Sequence, residues 1–195
     1  MTLEDIVQLA NENNGYLHEG IIKEHHIPRT YVSRLLKKGM VQRLASGIYI
    51  TDHGVEDVFY IQHLRFGNLI YSGGTALFLN GLSNRQSPDY EASFPYGTSA
   101  PKIEGFRVRQ SRKATFGLGI TEVETPFGNR VKAYDKERCI CDLFLRPNEY
   151  DAEERAYAID EYRKHSLDLE KLYTYAKQLG VYGIVRGVFE ALAWN

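Results

Sequence analysis

IPRTYVSRLLKKGMVQRLASGIYI, residues 27–50, reads as one helix followed at once by a tight hairpin. Pro28 suits a helix start, because its missing N–H falls among amides that have no intrahelical partner. Val32, Leu35 and Leu36 recur at i, i+3 and i+4 and predict one buried face. Arg29, Thr30, Ser33, Arg34, Lys37 and Lys38 lie off that face, and Gly39 marks the helix end. Strands are predicted over Val41–Leu44 and Ile48–Ile50, joined by the three-residue loop Ala45-Ser46-Gly47. A basic helix followed by a hairpin is the local order of a winged helix-turn-helix. An ordinary amphipathic helix with a solvated charged face is the alternative.

The residues upstream fit the first reading. Thr2 can cap a helix over Leu3–Asn13, with Ile6, Val7 and Ala10 on one face and Glu4 and Asp5 in the first turn, where the helix dipole favours acids. Tyr16-Leu17 can pair with the hairpin as a third strand. Glu19–His25 predicts a second short helix with Ile21 and Ile22 inward, and Pro28 forces Ile27 to be extended. A winged helix-turn-helix domain is therefore expected over residues 1–52. So short a domain has little core of its own. His18, His25 and His26 lack the spacing and the further ligand of a metal site, so they are expected to face solvent or phosphate.

Charge is unevenly spread. The 195 residues sum to −1, yet residues 21–50 carry six bases against Glu24 alone, so the remainder is acidic. That is the pattern of a basic contact face on an acidic protein. On double-stranded DNA the helix would enter the major groove with its N-terminal residues toward the bases. Arg29 or Arg34 would then read guanine and Thr30 would sit at the base edges, while Tyr31, Ser33, Lys37 and Lys38 touch phosphate. Lys23, and Arg43 and Ser46 on the wing, complete the expected contact set.

Residues 53–195 read as a larger mixed α/β domain, giving an α+β protein overall with a central β-sheet and C-terminal helices. Helices are expected over Val55–Phe66 and Thr75–Leu82, then strands over Glu91–Phe94, Phe106–Gln110, Thr121–Glu124 and Arg130–Tyr134. Asp135, Asp151 and either Ser166 or Asp168 can cap three later helices, and Ile184–Trp194 predicts a last one. Alternation puts Arg107 and Arg109 on one strand face. With Arg112 and Lys113 they form a second basic cluster, either a partner or nucleic-acid contact or a solvated face. Residues 135–161 are acidic and suit a basic protein partner.

At 43% hydrophobic and 25% charged, the composition is that of an ordinary globular protein. No apolar run approaches the roughly 20 residues needed to cross a bilayer. The acidic N-terminus has no signal-peptide pattern, so a cytoplasmic protein with no membrane partner is expected. Cys139 and Cys141 are too close for an ordinary disulfide and read as small buried residues. No cofactor is expected.

Four motifs occur in order: KKGMVQRLASGIYI (37–50), YSGGTALFLNGLSNRQSP (71–88), GITEVETPFGNRVKAYD (119–135) and KERCICDLF (136–144). In these the chain resembles the AbiEi antitoxin family of bacterial abortive-infection toxin–antitoxin systems, over roughly Leu3 to Phe144. The cysteines of RCICDLF stand where that family commonly has small apolar residues. The resemblance implies a phage-defence antitoxin with two roles. The winged domain would repress its own operon at inverted repeats. The C-terminal domain would counteract a cognate nucleotidyltransferase-fold toxin, directly or indirectly.

Two other classes compete with a non-enzymatic antitoxin. A divergent nucleotidyltransferase would use Gly73-Gly74 with Asp89, Glu91 and Glu122 or Glu124 around a divalent cation. A ligand-responsive transcription regulator would need a polar cluster in the second domain, and the sequence displays none.

Overall fold

A computed structural model describes residues 1–165 and 167–193. The chain is a mixed α and β protein, with ten helices and two sheets among the described residues. It divides into two compact units, residues 1–67 with 124–131, and the remainder.

The first unit opens with α1 (Leu3–Glu12), where Thr2 and Asp5 exchange side-chain and backbone hydrogen bonds in a complete capping box. Strand β1 (Tyr16–His18) leads into α2 (Glu19–Glu24), and a turn ending at Pro28 leads into α3 (Arg29–Lys37). Strands β2 (Gln42–Ala45) and β3 (Ile48–Ile50) follow, and the sheet order is β1-β3-β2, antiparallel throughout. The third strand expected at Tyr16-Leu17 is thus present. Ala45 pairs opposite Ile48 after a register shift, so only Ser46-Gly47 turns the hairpin rather than three residues. Leu3, Ile6, Ala10, Leu17, Ile21, Ile27, Val32, Leu35 and Val41 form the core between helices and sheet.

The boundary read at residue 52 falls inside this unit, because its core needs more apolar cover than fifty residues supply. Helix α4 (Val58–Arg65) adds it: Tyr60, Ile61 and Leu64 pack on Tyr16, Ile48 and Ile50. Gly15 permits the approach of the connecting loop. It has φ +83°, and a side chain there would run into the backbone of Gly54. Residues 124–131 are anchored through Asn14, whose Nδ2 donates to Asn129 Oδ1 at 3.0 Å and to Gly128 O at 3.2 Å.

In the second unit, β4 (Ile70–Tyr71) and α5 (Gly73–Leu79) precede β5 (Tyr90–Pro95) and β6 (Phe106–Ser111). A four-residue helix not expected from sequence, α6 (Lys113–Phe116), comes before β7 (Ile120–Glu124) and β8 (Arg130–Tyr134). The five-stranded sheet has order β6-β5-β4-β8-β7 and is mixed. Strand β4 runs antiparallel to β5 and parallel to β8, and β5 runs parallel to β6. Helix α7 (Lys136–Leu145) is capped by Asp135, a short turn covers Pro147–Glu149, and α8 (Ala152–His165) follows. Helix α9 (Leu169–Leu179) is capped by Asp168, and α10 (Tyr182–Ala193) ends the described chain. The alternative start at Ser166 and the end read at Trp194 lie outside the described residues. Cys139, Ile140, Cys141, Leu143, Leu172, Ala176 and Val185 are at the centre of this unit's core.

Candidate nucleic-acid interface

Helix α3 carries no acid in its first turn, and Pro28 at its N-cap makes no side-chain hydrogen bond. The positive end of the helix dipole is therefore not offset by a local carboxylate. Val32 and Leu35 are buried; opposite them Thr30 and Lys37 form an exposed crest. Arg29 and Ser33 lie on one flank of that crest, and Arg34 and Lys38 on the other.

On the first flank, Lys23, Arg29, Ser33, Arg43 and Ser46 line one groove of about 640 Å³ between α2, α3 and the hairpin. Five of the ten expected contact residues thus converge, although they come from three elements. Arg43 Nε donates to Ala45 O at 3.2 Å, which orients the guanidinium along the hairpin. Ser33 Oγ donates to Arg29 O at 3.2 Å and keeps its lone pairs for a donor. Glu19 also lines the groove and pairs with Lys23 at 3.2 Å, with both side chains largely exposed. Among the described residues, Arg29, Arg34, Lys37, Lys38 and Arg43 form no ion pair.

Arg34 and Lys38 instead share a smaller depression of about 290 Å³ with Tyr31 and the N-terminus of α1. The Arg34 guanidinium sits 5.5 Å from the centre of the Tyr31 ring, whose body is half-buried against the core. Tyr31 is therefore a platform for Arg34 as well as a surface group.

Two expectations change. Leu36, assigned to the buried face, is 36% exposed and lines the groove, while Val32 and Leu35, with Tyr31, make the contacts of α3 with the core. His18, read as facing solvent or phosphate, is half-buried and caps α2, its Nδ1 accepting the Gly20 N–H at 3.1 Å. Burial lowers its pKa, with Glu24 opposing. Sequence reasoning missed Ile22, Leu36 and Tyr49 as groove residues; the spare apolar position at Leu36 was the available signal.

The second basic cluster does not act as one surface. Arg109 is clasped between two carboxylates, Nη1 to Glu149 Oε1 at 2.6 Å and Nη2 to Glu91 Oε2 at 3.2 Å. Burial works against its charge, but Glu149 and Glu91 outweigh it and hold its pKa above the ordinary value. Arg107 lies 3.9 Å from Glu91 Oε1, Lys113 is exposed, and Arg112 lines a separate cleft. Alternation along β6 set the two arginines on one face correctly; buried Glu91 on β5 is what captures them.

Gly73 makes room for a neighbouring carboxylate. Gly73 has φ +58°, and a side chain there would overlap the Glu91 carboxylate. The glycine leaves room for a carboxylate already engaged by two arginines. Asp89 is exposed, and among the described residues no group of His, Cys, Asp and Glu has a metal-binding arrangement.

No protein-family model matches the chain, and no curated protein does. Among solved structures, the crystal structure of the RV2827C protein from Mycobacterium tuberculosis aligns over 87% of this chain and 69% of that one. Its TM-score is 0.55 at 12% identity. That likeness concerns the fold alone. No helix among the described residues is long and apolar enough to cross a membrane.

Proposed function

We propose that the first unit is a winged helix-turn-helix that docks α3 into the major groove of double-stranded DNA. One observation carries this reading: Lys23, Arg29, Ser33, Arg43 and Ser46, from α2, α3 and the hairpin, line a single groove. In this mode Arg29, Thr30 and Arg34 face base edges, Leu36 can meet a thymine methyl, and Lys37, Lys38 and Arg43 hold phosphates. Gel-shift titration of the full chain against the promoter of its own operon tests it. Equal affinity for promoter and unrelated DNA would remove the repressor reading, and equal binding by wild type and a Lys23→Gln, Arg43→Gln variant would remove the interface.

With the family resemblance, the protein is an autoregulating antitoxin whose second unit counteracts a nucleotidyltransferase-fold toxin encoded beside it. It counteracts the toxin, directly or indirectly, without catalysis of its own; the engagement of Glu91, the most enclosed carboxylate of the alternative active site, by Arg107 and Arg109 supports this. Co-expression with the neighbouring toxin gene tests this: growth is restored by an antitoxin and not by a plain regulator.

A further inference from the structure

The second unit has an open cleft of about 310 Å³ where the end of β6, α6, the end of α7 and the end of α9 meet. Ser111, Arg112, Arg138, Arg146 and Gln178 line it. These residues are far apart in sequence, and only the fold makes them one group. Three of them are guanidinium groups.

Arg138 is 2% exposed; its Nε donates to Asp142 Oδ1 at 3.0 Å, and its Nη1 donates to Thr115 O at 2.6 Å and Leu118 O at 3.0 Å. Asp142 is bonded to Arg138 and also feels the charges of Arg146 and Arg109, so one buried carboxylate faces three arginines. Arg112 makes no ion pair among the described residues. The cleft wall therefore carries positive charge beyond what Asp142 offsets.

One charged polar atom of a lining residue, Arg146 Nη1, is buried and has no hydrogen-bond partner, while the Ser111 side chain interacts with Tyr134. Ser111 as a residue is 6% exposed. A buried donor without an acceptor is costly, and a charged one more so. An oxyanion would relieve it. Guanidinium forks match the spacing of phosphate oxygens, and a serine hydroxyl adds a further donor.

We propose that this cleft binds the phosphate group of a small molecule. Its volume is at the lower end of ligand pockets, enough for a phosphate and a modest organic part. The site lies wholly in the second unit and does not depend on the DNA reading.

Isothermal titration calorimetry of the full chain, with inorganic phosphate and separately with a nucleoside monophosphate at constant ionic strength, tests it. We expect saturable binding with a dissociation constant on the order of 1 mM or tighter for at least one probe. Arg112→Gln with Arg146→Gln should weaken it at least about tenfold, and Arg112→Gln alone, at an exposed position, by several-fold. Arg112→Lys with Arg146→Lys should keep part of the affinity. The Lys23→Gln, Arg43→Gln variant should bind as wild type, which separates this cleft from the basic groove of the first unit. Tighter binding of the monophosphate assigns the remaining volume to the organic part; equal binding assigns recognition to the phosphate alone. No saturable binding of either probe, undiminished binding by a folded Arg112→Gln, Arg146→Gln variant, or loss in the Lys23→Gln, Arg43→Gln variant would each overturn the proposal.

Discussion

Asn129 donates from its side-chain nitrogen to the buried Asp57 carboxylate at 2.8 Å, joining the loop 124–131 to the start of α4 across 72 positions of chain. The same carboxylate accepts the Thr125 hydroxyl at 2.6 Å and the Phe59 and Tyr60 amides at 2.9 and 3.2 Å. Asp57 is fully buried, so these four donors stand in for its lost water.

Asp57→Ala removes a helix cap and strands donors that were paired to a charge. We expect a loss of roughly 2–4 kcal/mol, combining a cap's contribution with that of unsatisfied buried groups. Urea denaturation checks it. Asn129→Ala should cost less, since three donors remain; a larger loss for Asn129→Ala would contradict the assignment of Asp57 as the hub.

For DNA binding the base-reading arginines of α3 should separate from its phosphate-holding lysines. Arg29→Ala and Arg34→Ala should each lose about 1–3 kcal/mol on the cognate operator and relax sequence preference. Lys37→Ala should weaken all sequences alike and lower the salt slope by about one. Fluorescence anisotropy over a salt series distinguishes the classes. A uniform effect of Arg29→Ala on every sequence would make it a phosphate contact.

His18 makes the first unit sensitive to mild acid. Only a neutral Nδ1 can accept the Gly20 amide, and burial holds the folded pKa below its ordinary 6.5. A depressed folded pKa means the unfolded chain takes the proton first, so stability is full above pH 6.5 and declines as pH falls below it. The loss is about 1 kcal/mol, that of one helix cap. His18→Asn keeps a capping acceptor and should flatten the decline in thermal melts between neutral pH and pH about 5. An unchanged slope would assign the acid sensitivity elsewhere.

The two cysteines should be inert in the native state. Burial, then the neighbouring Asp142, pushes Cys141 up to about 12, and burial raises Cys139 well above its usual range. Since the thiolate is the nucleophile, thiol reagents near pH 8 should label neither residue on mixing, and both in guanidinium. The raised values also mean that stability falls as pH climbs above 9, where the unfolded thiols ionise first. Rapid native labelling of either cysteine would refute this burial.

Local rules in the sequence are enough to place most elements. The capping signals at Thr2, Asp135, Asp151 and Asp168 each mark a helix start, because a cap depends only on the next three residues. Glycines and β-branched alternation mark the hairpin and the strands of the second unit for the same reason. The charge run of residues 21–50 likewise brings the basic groove residues into view, since α2, α3 and the hairpin are contiguous in sequence.

What depended on distant partners was decided by tertiary structure alone. Leu36 lies outside because Val32 and Leu35 take the core positions of α3, and His18 became a cap through its place at the end of β1. Arg109 reads as available along the strand, but Glu91 and Glu149 close on it, and Gly73 makes room for the Glu91 carboxylate beside it. The cleft of Ser111, Arg112, Arg138 and Arg146 has no sequence signature, because pattern and spacing report neighbours along the chain, whereas a binding site is made of neighbours in space.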